Sequence, residues 1–233
     1  MRVMSLFMVG ALALTAANLS AESGRQESIE RLNMASETLS AMINTPDKGI
    51  PEEVLSNAKC IVVVPHLVKG GFVVGAEHGR GVATCRTAEG WSAPAFVSIG
   101  GGSWGLQIGV EGVDLVMLVM NDHGLQHLLS SKFQVGADAS ASAGPIGRHA
   151  SAGTDWKMDS EILTYSRSKG AFAGISLDGA VVEQDKDSTR AIYGSDPSFH
   201  AVLSGEVRAP QSTLNFLKAI SEAAHTSAVA EAK

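Results

Sequence analysis

Several groups of residues in this chain have the types and spacing that chemistry requires. Gly101-Gly102-Ser103-Trp104-Gly105 matches the G-x-S-x-G pattern of a nucleophile elbow. That device needs a strand before the serine and a helix after it, so that the hydroxyl stands on a sharp turn. Asp178 and His200 follow in hydrolase order, which leaves a small serine hydrolase using Ser103 as one alternative. The residues after Ser103 argue against it: Trp104, Leu106, Ile108 and Val110 alternate with Gly105, Gln107, Gly109 and Glu111, the period of a strand. Ser166-Arg167-Ser168-Lys169 matches S-x-x-K, but it sits in a hairpin-like turn, and the companion S-D-N and K-T-G elements are missing.

His123 and His127 are spaced i, i+4 on an expected helix, so both imidazoles share a face. Gly124 occupies the position where H-E-x-x-H carries its base, and Asp122, the residue available as a third ligand, reads as a helix cap. No metal is assigned on this basis. No glycine-rich run has the strand–loop–helix context of a phosphate loop, so the sequence calls for no cofactor and no catalytic residues. Cys60 and Cys85 are the only cysteines. They could pair across neighbouring strands in an oxidising compartment, or serve as small hydrophobes in two apolar runs.

The elements that carry these residues are legible from apolar periodicity. Ile29, Leu32, Met34, Leu39, Met42 and Ile43, with charges between them, predict an amphipathic helix over 25–43. Pro51 opens a short helix to about Asn57. Strands are expected from Cys60 to Val64 (stopped by Pro65), Gly71 to Gly75, Gly81 to Cys85 and Trp91 to Ile99. Between the second and third, Glu77 to Arg80 reads as a polar turn. Gly112 is expected to turn the chain into a buried strand over Val113 to Met120, and Asn121 to cap a helix reaching Ser130. Ile162 to Ser166 and Ala171 to Leu177 flank a turn, a charged stretch follows from Glu183 to Arg190, and a closing helix runs from Gln211 to Ala224. The fold class is α+β: a glycine-rich, mostly antiparallel β body flanked by N- and C-terminal helices. Glycine, 25 of 233 residues, is about 11% against a usual 7% or so, which suits tight turns and close backbone contacts.

The first residues have the layout of an export signal: Arg2, an uncharged run from Leu6 to Ala17, then Leu19-Ser20-Ala21 before Glu22. The run is too short to cross about 30 Å of hydrocarbon at 1.5 Å per residue. The expected division is therefore a signal over 1–21, a helical segment over 22–57, a main domain over 58–224 and a frayed tail over 225–233. Without residues 1–21, which hold one basic residue (Arg2) and no acidic one, 17 basic residues face 24 acidic ones, a net charge of −7. That argues against nucleic acid as a partner.

Several segments in order resemble the SYLF domain, a lipid-binding module also known as an actin-regulator domain in fungal endocytic proteins. They are Lys69-Gly70-Gly71-Phe72-Val73-Val74-Gly75, Gly79-Arg80-Gly81-Val82, Trp91 with Pro94, and Gly105-Leu106-Gln107-Ile108-Gly109-Val110-Glu111. Gly136-Ala137-Asp138, Ala143-Gly144-Pro145-Ile146-Gly147-Arg148, Tyr165 to Gly174 and Tyr193-Gly194 continue the set. The resemblance covers about residues 30–223. It implies a non-enzymatic domain that binds phospholipid or a membrane surface, and the export signal places the chain with bacterial exported members, peripheral to a membrane in the periplasm or outside the cell. Actin is then out of reach, and a protein partner in the cell envelope is the second alternative. Lys69, Arg80, Lys132, Arg148, Arg167 and Lys169 lie in or beside the glycine-rich turns. If those turns converge, these residues are the expected lipid-binding cations.

Overall fold

The computed structural model describes residues 4–45, 49–71, 74–104, 109–146, 160–168, 171–172 and 177–230. Ten strands form the sheet: β1 (Cys60–Gly71), β2 (Val74–Thr87), β3 (Gly90–Trp91), β4 (Ala95–Trp104), β5 (Gly109–Val119), β6 (Lys132–Gln134), β7 (Ala141–Ala143), β8 (Ile162–Ser168), β9 (Ala171–Phe172) and β10 (Val181–Gln184). The main order is β6-β10-β4-β2-β1-β5-β8-β7, with β3 on β2 and β9 on β8. Every pairing is antiparallel except β7 with β8. Helices α1 (Met4–Ile43), α2 (Glu52–Asn57), α3 (Asp122–Leu129), α4 (Lys186–Tyr193), α5 (Phe199–Leu203) and α6 (Leu214–Ala230) complete it, the last preceded by a 3₁₀ turn at Gln211–Thr213. The architecture is the expected α+β. Among the described residues no helix is long and apolar enough to cross a membrane.

Both faces of the central strands are buried, which is why β1 reads as a continuous apolar run rather than an alternation. Ile61, Val63, Val82, Phe96, Val116, Leu118 and Leu163 pack under the terminal helices, against Leu32, Leu39, Met42, Phe216 and Ile220. Val62, Val64, Leu67, Val97, Ile99, Leu115 and Met117 face the other way, into a second cluster closed by Leu128 of α3 and by Phe199, Val202 and Leu203 of α5. The buried stripe of α1 is Ser28, Arg31, Leu32, Ala35, Thr38, Leu39 and Met42. Ala35 takes the place expected for Met34, and three polar residues lie on the stripe, so it is a weaker sequence signal than its burial deserves.

The structure differs from the sequence expectations in several places; the strand expected over Gly71 to Gly75 is instead the end of β1 and the start of β2, with Gly71 opposite Gly75. Pro65 does not stop β1. The ladder slips by one residue between Val63 and Val68 against β2, and between Val64 and Leu67 against β5. This is a bulge, where a residue without an N–H is tolerated. His66 takes a left-handed φ of 54°, and its N–H donates to Asp114 Oδ1 at 3.2 Å. Glu77 to Arg80 is not a turn but the middle of β2, because its charges are neutralised across strands and helices. Gly112 lies inside β5, opposite Val68. The charged stretch after Glu183 is helix α4, capped by Asp185, whose Oδ1 accepts the Ser188 N–H at 3.1 Å. Helix α6 also continues past Ala224 to Ala230.

The glycines of β2 belong to the same bulge. A Cβ at Gly81 would stand 2.4 Å from the Val63 carbonyl oxygen, and one at Gly79 would stand 2.8 Å from Leu67 Cδ1 and Val64 Cγ1. The β1 backbone can therefore swell against β2 only because these positions carry no side chain. Twenty-five positions apart in sequence, Cys60 and Cys85 face each other at the opposite end of the same strand pair and are joined by a disulfide.

Two measurements test this frame. Reduction of the Cys60–Cys85 bond should cost about 3 kcal/mol, read as a lower urea midpoint under dithiothreitol. At the bulge, His66→Val should lose about 1–2 kcal/mol while His66→Gly does not, because only glycine enters the left-handed region freely. Equal stability of the two variants would contradict the bulge.

Candidate functional site

The strand directions bring three turns to one end of the sheet. Gly71 pairs with Gly75 at the top of β1–β2, Gly71 also pairs with Gly109 of β5, and Val74 pairs with Trp104 of β4. Ser168 pairs with Ala171 where β8 turns into β9, beside the same end of β5. The joining residues 72–73, 105–108 and 169–170 lie outside the described residues; by sequence they include Phe72, Val73, Leu106, Ile108 and Lys169. The flanks are described, and they expose apolar surface. Val68 is 48% exposed and Val110 81%. Register puts Val68, Gly70, Val110 and Gly112 on one face of this end, the face that carries the helix layer lower down.

The opposite face of the same rows is charged and largely closed. Lys69 lies across from Glu77 on β2 and from Glu111 on β5. Its Nζ is 2.8 Å from Glu77 Oε2, and both side chains are buried, at 5% and 2% exposure. Ser168 Oγ donates to Glu111 Oε1. A buried lysine of this kind is tolerated because a carboxylate stands beside it, and removing one member leaves an uncompensated charge in a poorly solvated place.

The other expected cations are also paired. Arg167 Nη2 is 3.6 Å from Asp114 Oδ2, the carboxylate whose other oxygen accepts the His66 N–H. Arg80 turns toward the helices, with Nη1 3.0 Å from Glu27 Oε1 and Nε 3.8 Å from Asp185 Oδ2. The buried Arg31 completes that network, donating to Asp185 Oδ2 at 3.2 Å and to Ser188 Oγ at 2.8 Å. Burial pushes the Arg31 guanidinium pKa down and the Asp185 carboxylate works against that shift. Lys132 sits at the far edge of the sheet, 3.2 Å from Glu183. Arg148 and Lys169 lie outside the described residues. The structure therefore does not gather the four described cations: Lys69 faces inward, Arg80 and Arg167 lie on the helix side, and Lys132 is remote. Their partners were invisible in sequence, because cross-strand register selects Glu77 and Asp114, and helix packing on the sheet selects Glu27 and Asp185.

The catalytic alternatives find no support in the geometry. Ser103 lies in β4 opposite Gly75, and the next described element is another strand, so the elbow lacks its helix. Ser166 is buried in β8 rather than on a helix. Tyr193, whose pKa burial pushes up, is a neutral donor to the Pro94 carbonyl at 2.7 Å.

The Ysc84 family, described as a Las17-binding protein actin regulator, matches residues 100–223, from the upper half of β4 into α6. The chain belongs to this family. Relatives extend the similarity: the SH3 domain-containing YSC84-like protein 1 of Rattus norvegicus is 34% identical over 169 residues, 72% of this chain and 49% of that protein. Protein YSC84 of Saccharomyces cerevisiae is 33% identical over 168 residues, covering 70% of this chain and 36% of its own length. The chain thus spans about half, or less, of the curated relatives it matches. The resemblance to the SYLF domain is the same family by its other name. Of its glycine-rich segments, Lys69 to Gly71 and Gly109 to Glu111 flank the turns just described, whereas Gly79 to Val82 lies inside β2 and Gly136 follows the edge strand β6. Tyr165 to Ser168 lies beside Gly144, whose N–H donates to Thr164 O at 2.9 Å.

The buried pair yields a clear expectation. Lys69→Met should destabilise by about 3–5 kcal/mol, and the double change Lys69→Met with Glu77→Leu should recover most of that loss in urea unfolding. A small effect of the single change would show that Lys69 is not held by Glu77.

Proposed function

We propose that this protein is exported, loses residues 1–21, and binds membrane lipid without catalysing a reaction, through the glycine-rich end of its sheet. The observation that carries the reading is the exposed apolar face at that end, where Val68 and Val110 stand beyond the helix layer. Arg167 lies on the rim beside it, and Lys169 follows it two residues later in the sequence. Apolar side chains entering the interface and peripheral cations meeting phosphate oxygens are complementary parts of one contact. Lys69 supports this end from inside, through Glu77, rather than reaching a headgroup. The disulfide favours an oxidising compartment. In that compartment the actin and Las17 connection of the family has no counterpart, and the lipid-facing part is what carries over.

A second reading is an envelope module that docks a protein partner on the same face. The family description, which names a protein partner, favours it.

Vesicle co-sedimentation separates the two. The protein should pellet with phosphatidylglycerol vesicles more than with phosphatidylcholine vesicles. Val68→Asp with Val110→Asp should weaken vesicle binding about a hundredfold, since each valine withdrawn from water is worth roughly 1.5 kcal/mol and about 1.4 kcal/mol is a factor of ten. Lys169→Glu should weaken binding chiefly at low salt. No binding to either vesicle, with a protein retained from envelope extract by the Val68 and Val110 face, would transfer the site to the second reading.

A further inference from the structure

We propose that His123, His127 and Glu161 form a binding site for a late first-row divalent cation, Zn²⁺ foremost. Each of the three offers one ligand atom, and these atoms lie within 4.8 Å of one another. The two imidazoles come from successive turns of α3, their ring centroids 4.6 Å apart. The carboxylate arrives from 38 residues away, at the entry to β8, with Oε1 2.7 Å from His123 Nδ1.

The Nε2 of His127 is buried and has no hydrogen-bond partner. A buried ring nitrogen left in that state costs free energy that a metal bond would offset. Two imidazoles and one carboxylate are a donor set suited to Zn²⁺, and three protein ligands leave a coordination position for water or an external donor. Tetrahedral Zn–N and Zn–O bonds of about 2.0–2.2 Å put ligand atoms about 3.4 Å apart, between the 2.7 Å separation of His123 Nδ1 and Glu161 Oε1 and the 4.8 Å limit of the three-atom group.

The surroundings fix the carboxylate in place. Glu161 Oε2 accepts the Ser140 N–H at 3.3 Å, the Glu161 N–H donates to Ser140 Oγ at 3.2 Å, and the Glu161 carbonyl accepts the Met120 N–H at 2.9 Å. Supporting bonds of this type orient metal ligands. Gly124 allows the approach itself: a Cβ there would stand 3.0 Å from the Glu161 carbonyl oxygen and 3.2 Å from its Cβ. The residue that breaks the H-E-x-x-H pattern in sequence is thus the one that lets the distant third ligand close in. Asp122, the sequence candidate for that ligand, is instead 2.7 Å from Lys59 Nζ.

The test uses the full, untagged chain stripped with a chelator and titrated with Zn²⁺ by calorimetry, and separately with Co²⁺ by visible absorption. One saturable site of micromolar affinity or better is expected, with the Co²⁺ spectrum of a low-coordinate nitrogen and oxygen site. His127→Ala and the isosteric Glu161→Gln should each weaken Zn²⁺ binding at least about tenfold, the lower bound set by losses of merely supporting residues. His200→Ala, on α5, should leave it unchanged. Circular dichroism confirms that each variant is folded. Absence of saturable binding, or equal binding by wild type and the folded Glu161→Gln variant, overturns the proposal.

Discussion

The extra residue that β1 carries at Pro65–His66 sets the orientation of everything beyond it. Below the bulge Cys60, Val62 and Val64 face the inner cluster; above it the inward positions are Leu67 and Lys69. Threaded as an uninterrupted strand, the same residues would put Val68 inward and Lys69 outward, because a one-residue slip sends each side chain to the other face. The bulge therefore creates both halves of the candidate surface, the apolar outer face and the buried Lys69–Glu77 pair. It is held by the Asp114 carboxylate and made sterically possible by Gly79 and Gly81. Arg167, through Asp114, belongs to the same construction.

Charge is handled by local pairing rather than by segregation. Among the described residues, Arg31, Lys69, Arg80, Lys132 and Arg167 each stand within 4.0 Å of a carboxylate. Such local neutralisation is in keeping with the formal net charge of −6. The pairs at Asp185 do architectural work, since one carboxylate caps α4 and ties it to α1 and β2. Cations inside a protein's own network are poor candidates for steering a ligand from a distance.

The fold class was legible because its signals are local. The alternating and continuous apolar runs, Pro51 before α2, and Asn121 capping α3 by accepting the Gly124 N–H at 2.9 Å all act within a few residues. What escaped was non-local. Pro65 and the Glu77–Arg80 segment look like chain breaks until the partner strands supply a bulge and a counter-charge. Asp185 looks like one more charge in an acidic stretch until Ser188 and Arg31 meet it. Glu161 lies 38 residues from His123, and only the packing of α3 on the entry to β8 joins them. The family motifs were visible as an ordered set, but that Lys69 to Gly71 and Gly109 to Glu111 flank one end of the sheet follows from strand direction alone.

The Cys60–Cys85 bond sits at one end of the β1–β2 ladder and the glycine-flanked turns at the other. Between them the helix layer presses on the lower rows only. The ladder is thus closed covalently at its base and braced by helices along its lower rows, so an outward substitution at Val68 or Val110, above the bulge, leaves the packed core untouched.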